Sequence, residues 1–151
     1  MFKLIRTNSA NIDFIDLVKD LDADLAIRDG DEHAFYNQFN KIDEINFVLL
    51  AYENEIPVGC GAIKEYETGV MEVKRMYVKL EKRGNGIASL ILIELEKWAL
   101  ELNIHKLILE TGVNQPEAIK LYMKNKYYKI NNYGQYAEAE NSFCFEKQLK
   151  F

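Results

Sequence analysis

A six-residue stretch, Arg83-Gly84-Asn85-Gly86-Ile87-Ala88, has the residue types and spacing of an anion-binding turn. It joins a predicted strand to the start of a predicted helix, where free backbone N–H groups and the positive end of the helix dipole are found. The two glycines allow the backbone to approach a ligand without an intervening Cβ. The stretch predicts a phosphate or pyrophosphate site, although a Gly-x-Gly pair alone is also typical of a plain tight turn. It lacks the third glycine of the dinucleotide fingerprint and the Gly-Lys-Ser/Thr of a P-loop.

The hydrophobic pattern predicts the elements that position this turn. A helix with Phe14, Leu17, Val18 and Leu21 on one face is expected early in the chain, and a long amphipathic helix is expected over 86–102. A shorter helix begins near Pro116, a residue suited to the first helical position. A second short helix is expected around Phe35, Tyr36 and Phe39, and strands are expected at 2–6, 46–52, 56–65, 70–78, 106–110, 127–130 and 142–149.

The resulting order is β-α-α-β-β-β-α-β-α-β-β. Strand, crossover helix and strand over 70–110 imply a locally parallel pair, while the strands before them form an antiparallel meander. The fold class is therefore α+β with a mixed sheet.

Composition and charge narrow the function classes. The length of 151 residues predicts one domain over 1–151, and 48% hydrophobic with 28% charged residues is the balance of a soluble globular protein. The net charge of −5 argues against an extended DNA or RNA partner and is compatible with a cationic substrate. The N-terminus has no apolar signal core and no apolar run approaches 18 residues, so a cytoplasmic location without a membrane partner is expected.

The two cysteines, Cys60 and Cys144, lie in apolar runs and are expected to be buried, reduced thiols. Together with the distant His33 and His105 they do not have the spacing of a zinc site. No metal is therefore expected.

These motifs together resemble the GNAT superfamily of N-acetyltransferases. The family motif Gln/Arg-x-x-Gly-x-Gly/Ala is matched by Glu81-Lys82-Arg83-Gly84-Asn85-Gly86, preceded by Met76-Tyr77-Val78 at the end of a strand. Further on, Ala118-Ile119-x-Leu121-Tyr122 resembles the family's Ala-x-x-Leu-Tyr helix. The similarity covers nearly the whole chain, loosely before Phe47 and closely over 58–128.

The resemblance implies the GNAT acyl-CoA N-acyltransferase fold, a mixed and mostly antiparallel sheet flanked by helices, with acetyl-CoA as cosubstrate. Residues expected to contact coenzyme A are Met76, Tyr77, Val78, Arg83, Gly84, Asn85, Gly86, Ile87, Ala88, Asn114 and Gln115. The last two share one role, because Gln115 stands where the family usually has Asn and Asn114 is one place earlier. Glu81 replaces the frequent Gln or Arg, and Asn125, before Lys126, is expected to end its helix in the left-handed conformation.

Acetyl transfer to an amine needs a base, an acid and donors for the developing oxyanion. By the resemblance, Glu72 is the candidate base, acting directly or through water, and Tyr122 is the candidate acid near the CoA sulfur. Backbone N–H groups around Met76 to Val78 are expected to meet the oxyanion. Each side chain also has a structural interpretation: Glu72 as a surface partner of Lys74 or Arg75, and Tyr122 as a core aromatic.

The sequence gives less specific evidence for the acceptor site. Strand alternation predicts that Lys74 and Arg75 point to opposite faces, each more typical of a solvated surface than of a phosphate contact. The resemblance assigns the acceptor site to the first two helices and the loop between the last two strands. Residues in these segments are Asp22, Asp24, Asp29, Asp31, Phe35, Tyr36, Gln38, Tyr133, Tyr136, Glu138 and Glu140. Acidic residues among tyrosines suit a cationic amine, and they are equally typical of helix caps and a solvated loop.

The function predicted is transfer of acetyl from acetyl-CoA to a primary amine of a small molecule. Two alternatives stay open: a non-catalytic acyl-CoA-binding or sensing module, and acetylation of protein lysines or N-terminal amines. A structural domain without CoA is disfavoured by the Gly-x-Gly turn that opens a long helix. A homodimer is also left open, because the aromatic last strand with Phe143, Phe145 and Phe151 is suited to a dimer edge.

Overall fold

The computed structural model describes residues 2–29 and 44–150. In this part of the chain the strands are β1 (Phe2–Thr7), β2 (Phe47–Glu53), β3 (Ile56–Glu67), β4 (Val70–Val78), β5 (Lys106–Gly112), β6 (Tyr128–Ile130) and β7 (Ser142–Gln148). The helices are α1 (Ile12–Asp29), α2 (Ile87–Glu101) and α3 (Pro116–Lys124), with short 3-10 turns at Leu80–Lys82 and Gly134–Tyr136. The short helix predicted around Phe35, Tyr36 and Phe39 lies outside the described residues.

The seven strands form one sheet in the order β1-β2-β3-β4-β5-β7-β6. Only the β4–β5 pair is parallel, and the five other pairs are antiparallel. A parallel pair needs a crossover connection, and α2 supplies it between β4 and β5. The expected α+β class with a mixed, mostly antiparallel sheet is confirmed.

The sheet is covered on both faces. Along β2, Val48 and Leu50 pack with Phe14, Leu17 and Val18 of α1. The alternate residues Leu49 and Ala51 pack with α2, because successive side chains of a strand point to opposite faces. These two sides are the α1 face and the α2 face of the sheet.

Helix α2 is held by an apolar face that contains Ile87, Ile91, Leu92, Leu95 and Ala99, all buried. Burying a large aliphatic side chain contributes about 1.5–3 kcal/mol, so this face fixes the helix firmly on β3 and β4. The helix begins after Gly86, which has φ +78°. As at any helix start, the N–H groups of the first turn have no acceptor within the helix.

A β-bulge in β4 changes which side chains face α1. The register between β3 and β4 shifts between Cys60 and Ala62, and Arg75 adopts φ +60° there. The Cys60 thiol donates a hydrogen bond to the Arg75 carbonyl oxygen at 3.2 Å and so ties the bulge to β3.

The prediction for Lys74 and Arg75 is therefore wrong in its geometry. Lys74 pairs in register with Ala62 on the α1 face, and Arg75 reaches Asp22 of α1, so both side chains lie on that face. Strand alternation fails because the bulge inserts one extra residue. Neither side chain is solvated either: Arg75 is only 6% exposed, and the Lys74 side chain is 13% exposed.

Two further expectations near the end of the chain are corrected. Asn125 is the C-cap of α3, as expected, but Lys126 and not Asn125 has the left-handed conformation, with φ +75° against −92°. Asn125 instead uses its side-chain amide to donate to Ser89 Oγ and to the Leu121 carbonyl. Strand β7 is not an edge strand, since it lies between β5 and β6, so its aromatic residues do not support a dimer through an open edge. Phe151 lies outside the described residues.

Both cysteines are free and buried, and burial raises the pKa of the Cys60 thiol to about 12. Among the helices described, none has the length and apolar character needed to cross a membrane.

Candidate active site

The site is a gap in the sheet. Strands β4 and β5 pair only from Val70 and Lys106 to Glu72 and Ile108, and beyond these residues the two strands diverge. A cavity of about 400 Å³ occupies the divergence. Its wall includes β4 from Glu72 to Val78, the glycine turn and the start of α2, residues 110–112 of β5, and the inner side of α3. The cavity therefore opens through the sheet and has walls on both faces.

The glycine turn forms one end of the cavity. Gly84 and Gly86 have φ +84° and +78°, a region that favours glycine. A Cβ built on either glycine would meet no other atom within 4 Å, so the space beside the backbone is open. Open space at a helix N-terminus fits a phosphate group.

The free backbone groups of β4 point into the gap. The Lys79 N–H donates to the Val58 carbonyl on β3 at 2.9 Å, so by alternation the N–H groups of Val78 and Met76 point toward β5. Because β5 has diverged there, these N–H groups can donate to an extended ligand or to a carbonyl oxygen placed in the gap. The resemblance predicted donors at these positions, and the geometry fits that role.

Several cationic side chains line the cavity. Arg83 donates from Nε to the Val78 carbonyl at 2.9 Å and lies over the ring of Tyr77, 5.5 Å from its centroid. Lys82, which is bonded to Glu53, also lines the cavity, and so do Lys120 and Lys124 of α3. The two α3 lysines were missed in the sequence, although their spacing of four residues puts them on one helix face.

Glu72 lies on the α1 face where the strands begin to separate. Its side chain lines the cavity, and the residue is 8% exposed. The Tyr133 hydroxyl donates to Glu72 Oε2 at 2.6 Å, and Lys74 Nζ lies 3.6 Å from Oε1. Burial and, next, the neighbouring Glu72 carboxylate raise the pKa of Tyr133, so this phenol remains a donor. The carboxylate is thus held in one orientation by two neighbours.

Tyr122 lies on the opposite face. It packs with Tyr127 and Phe145 in the α2-side core, at ring-centroid distances of 5.9 and 6.3 Å, and still lines the cavity. Burial, with a smaller contribution from Glu110, raises the pKa of Tyr122, so the phenol stays protonated at neutral pH. Glu72 and Tyr122 therefore approach one gap from the two faces of the sheet.

Other polar residues that line the cavity were not predicted as catalytic or cofactor-binding either. Glu110 and Thr111 of β5 line the gap opposite β4, and Tyr136 lines it from the β6–β7 connection. Glu110 accepts a hydrogen bond from Ser142 Oγ at 2.7 Å. The resemblance places Tyr136 only on the acceptor side. No sequence motif identifies a site residue on β5, because the role of such a residue depends on where β5 diverges from β4.

Most of the predicted CoA-contacting residues meet at the cavity. Those that line it are Met76, Tyr77, Val78, Arg83, Gly84, Gly86, Ile87, Ala88 and Gln115. Asn85 instead donates from its amide to the Lys82 carbonyl, and Asn114 is not part of the wall, so of the two amides Gln115 has the position suited to a ligand.

The predicted acceptor residues are only partly assembled. Asp24 and Tyr136 line the cavity, and Tyr133 contacts Glu72 behind it. Glu138 and Glu140 line a separate shallow depression with Lys129. Asp31, Phe35, Tyr36 and Gln38 lie outside the described residues, as does the side chain of Asp29. In the part of the chain that is described, no three His, Cys, Asp or Glu side chains cluster as metal ligands do.

A split sheet with an open glycine turn at a helix N-terminus, lined by a carboxylate and a phenol, is the arrangement expected of an acyltransferase of the GNAT type. Comparison with known proteins agrees: the sequence profile of the Acetyltransferase (GNAT) family matches residues 14–127. The chain belongs to this family and is an N-acetyltransferase of the GNAT type.

Individual relatives support this assignment. An IAA acetyltransferase of Azospirillum brasilense is 38% identical over 102 residues, which is 67% of each chain. A solved Klebsiella pneumoniae structure, described as a candidate acyl-CoA N-acyltransferase, is 28% identical with a TM-score of 0.83 over 99% of both chains. PaiA N-acetyltransferase of Thermoplasma acidophilum, solved in complex with coenzyme A, shares the fold with a TM-score of 0.72 and 16% identity over 98% of this chain and 99% of that one.

Proposed function

We propose that this protein transfers the acetyl group of acetyl-CoA to the primary amine of a small molecule by direct attack. The observation that carries the proposal is the placement of Glu72 and Tyr122 on the two faces of one gap in the sheet. A base on one side and an acid on the other suit a reaction in which a proton leaves the attacking amine and another reaches the leaving thiolate.

The wall of the cavity fits the parts of acetyl-CoA. The turn at Gly84 and Gly86 offers backbone N–H groups to the pyrophosphate, and Arg83, Lys120 and Lys124 supply positive charge around it. The N–H groups of Met76 and Val78 offer hydrogen bonds to the pantetheine arm and the acyl carbonyl. The relative from Thermoplasma acidophilum, which shares this fold, was solved with coenzyme A bound.

Each chemical step of the acetyl transfer is then assigned to groups of this chain. Glu72 accepts the proton that the ammonium of the acceptor must lose, directly or through water. The nitrogen attacks the thioester carbon that acetyl-CoA supplies, while the backbone N–H groups of β4 stabilise the developing oxyanion. As the carbon–sulfur bond breaks, the nitrogen loses its second proton to solvent, the Tyr122 hydroxyl gives a proton to the thiolate, and solvent restores the proton of Tyr122. The products are the N-acetyl amine and CoA, with one proton released overall.

The proposal is tested by CoA release from acetyl-CoA across amino acids, polyamines, aminoglycosides and lysine peptides. Glu72→Gln is expected to lower kcat by about 100-fold or more. Glu96→Gln is the matched control, because Glu96 also accepts from a tyrosine, Tyr127, and pairs with a lysine, Lys147, but lies away from the cavity. Equal loss in both variants, or full activity in Glu72→Gln, contradicts the assignment of the base. Turnover only with lysine peptides would indicate a protein substrate instead.

A further inference from the structure

The cavity contains a primary amine of the chain itself, beside the carboxylate proposed as the base. Nζ of Lys74 lies 3.6 Å from Oε1 of Glu72, and both residues line the cavity. Lys74 is two residues beyond Glu72 on β4, so by strand alternation it points to the same α1 face. The lysine ammonium therefore lies where the ammonium of an acceptor must lie in the proposed reaction.

The position of Lys74 along β4 also suits a reacting amine. The pairing of β4 with β5 ends at Glu72, so Lys74 lies where the gap between the two strands has opened. Met76, whose N–H is a proposed donor to the oxyanion, follows two residues later, roughly 7 Å along the strand. Because a lysine has a flexible four-carbon stem, Nζ can move from Glu72 toward a thioester carbonyl bound by that N–H.

Burial separates Lys74 from the other lysines of the cavity. Its side chain is 13% exposed, so it lies within the cavity wall and not on the outer surface. Lys82 precedes the glycine turn and is bonded to Glu53, while Lys120 and Lys124 are exposed residues of α3. These three suit the anionic groups of CoA, whereas Lys74 is the cavity lysine that is paired with the proposed base.

We propose that Lys74 is a self-acetylation site, at which the protein transfers acetyl from acetyl-CoA to its own Nζ when no small-molecule amine occupies the cavity. This inference rests on the proposed function, because it uses the same base, acid and oxyanion donors. Glu72 accepts one proton from the lysine ammonium, and Nζ attacks the thioester carbon. As the carbon–sulfur bond breaks, the nitrogen loses a second proton to solvent and Tyr122 gives a proton to the thiolate. The products are an amide at Lys74 and CoA.

The amide differs from the lysine in charge and in reactivity. Acetylation removes the positive charge of Lys74, so the ion pair with Glu72 is lost. An amide nitrogen is not a nucleophile, so the reaction ends after one acetyl group at this residue. The inference therefore predicts one slow event per chain and not a catalytic cycle.

The test incubates the whole protein with acetyl-CoA that has an isotope-labelled acetyl group, in an amine-free buffer without an acceptor. Peptide mass spectrometry follows the label on each lysine with time. Lys74 is expected to be labelled at least about tenfold faster than Lys147, because Lys147 is paired with Glu96 away from the cavity and has no bound thioester nearby. Labelling of Lys74 no faster than that of Lys147 and of the exposed Lys97 overturns the inference.

Two further measurements separate self-acetylation from unassisted reaction with acetyl-CoA. Glu72→Gln is expected to slow the labelling of Lys74 by at least about tenfold and to leave Lys97 unchanged, because Lys97 does not depend on the base. In the wild-type protein, where no substitution affects folding, an excess of desulfo-CoA should protect Lys74 and leave Lys97 labelled as before. Unchanged labelling of Lys74 in either measurement overturns the inference.

Turnover distinguishes this inference from the proposed function. Labelling of Lys74 that depends on Glu72, without CoA release in the presence of any small-molecule amine, would support the inference and contradict the proposed acceptor. Acetylation of a small-molecule amine with no label on Lys74 would do the reverse.

Discussion

The hydroxyl of Tyr133 donates a 2.6 Å hydrogen bond to Oε2 of Glu72 across 61 residues of sequence. Tyr133 is itself held by edge-to-face contacts with Tyr66 and Tyr136, at centroid distances of 5.3 and 5.9 Å. The connection between β6 and β7 therefore fixes the orientation of the carboxylate on β4.

Tyr133→Phe should lower kcat by about 10-fold to 100-fold, because it removes the donor that aligns Glu72. The KM for acetyl-CoA should stay unchanged, since Tyr133 does not line the cavity. The variant should also lose about 1.5–3 kcal/mol of unfolding free energy, the value of a hydrogen bond to a charged group. Tyr128→Phe is the control, because Tyr128 bonds Glu146 in the same way at an exposed site. A kcat loss in Tyr128→Phe as large as in Tyr133→Phe would refute the positioning role.

Tyr122→Phe should lower kcat at pH 7.5 by about 100-fold, because the thiolate then leaves without a proton from the protein. The affinity for acetyl-CoA should change little. Tyr127 is a neighbouring buried phenol that bonds Glu96 outside the cavity, so Tyr127→Phe should cost stability and leave kcat nearly intact. Steady-state kinetics and urea unfolding on the two variants separate these effects, and wild-type kcat in Tyr122→Phe would exclude Tyr122 as the acid.

The proposed pyrophosphate site at the glycine turn is tested by two variants of Gly84 that differ in charge. The two new side chains have the same size and the same backbone preference. Both Asn and Asp tolerate the left-handed conformation that Gly84 adopts, at φ +84°. Gly84→Asp should weaken CoA binding about 10-fold to 100-fold more than Gly84→Asn, because its carboxylate would face the pyrophosphate. Calorimetry with acetyl-pantetheine, which carries no phosphate, should show no such difference. Equal CoA affinity in the two variants would contradict the site.

Buried tyrosines and thiols make the folded state sensitive to alkali. Burial raises the pKa of Tyr122, Tyr127 and Tyr136, as it does that of Cys60. In the unfolded chain the thiols lose protons near pH 8.5 and the phenols near pH 10, so at high pH the unfolded state binds fewer protons. Their contribution to stability is therefore complete below about pH 8.5 and is lost as the pH rises.

The unfolding free energy should accordingly fall above pH 9 and more steeply above pH 10, approaching about 1.4 kcal/mol per pH unit for each buried phenol. Urea unfolding between pH 7 and pH 11 measures it. Tyr127→Phe should reduce the slope above pH 10, whereas Tyr128→Phe, at a half-exposed position, should change it less. A flat profile to pH 11 would rule out this source of alkaline sensitivity.

Among the described residues, the sequence predicted the strands, the helices and the glycine turn well, because each depends on local pattern. Strand β4 has the predicted bounds, 70–78, and helix α3 begins at Pro116, as predicted. The positions of Arg75 and Lys126 could not be predicted, since a residue with a Cβ in the left-handed region gives no compositional signal. The contact of Tyr133 with Glu72 and the place of Glu110 depend on tertiary packing and on where two strands diverge.

In the proposed reaction, acetyl moves from acetyl-CoA to an amine at the gap between β4 and β5. Mass spectrometry of the reaction with acetyl-CoA and the amine panel tests this most directly, because it separates transfer from simple thioester hydrolysis. We expect N-acetyl amine in equal amount to the CoA released, with both reduced together in Glu72→Gln. Tight acetyl-CoA binding with no acetylated product from any amine would contradict it and indicate an acyl-CoA-binding protein.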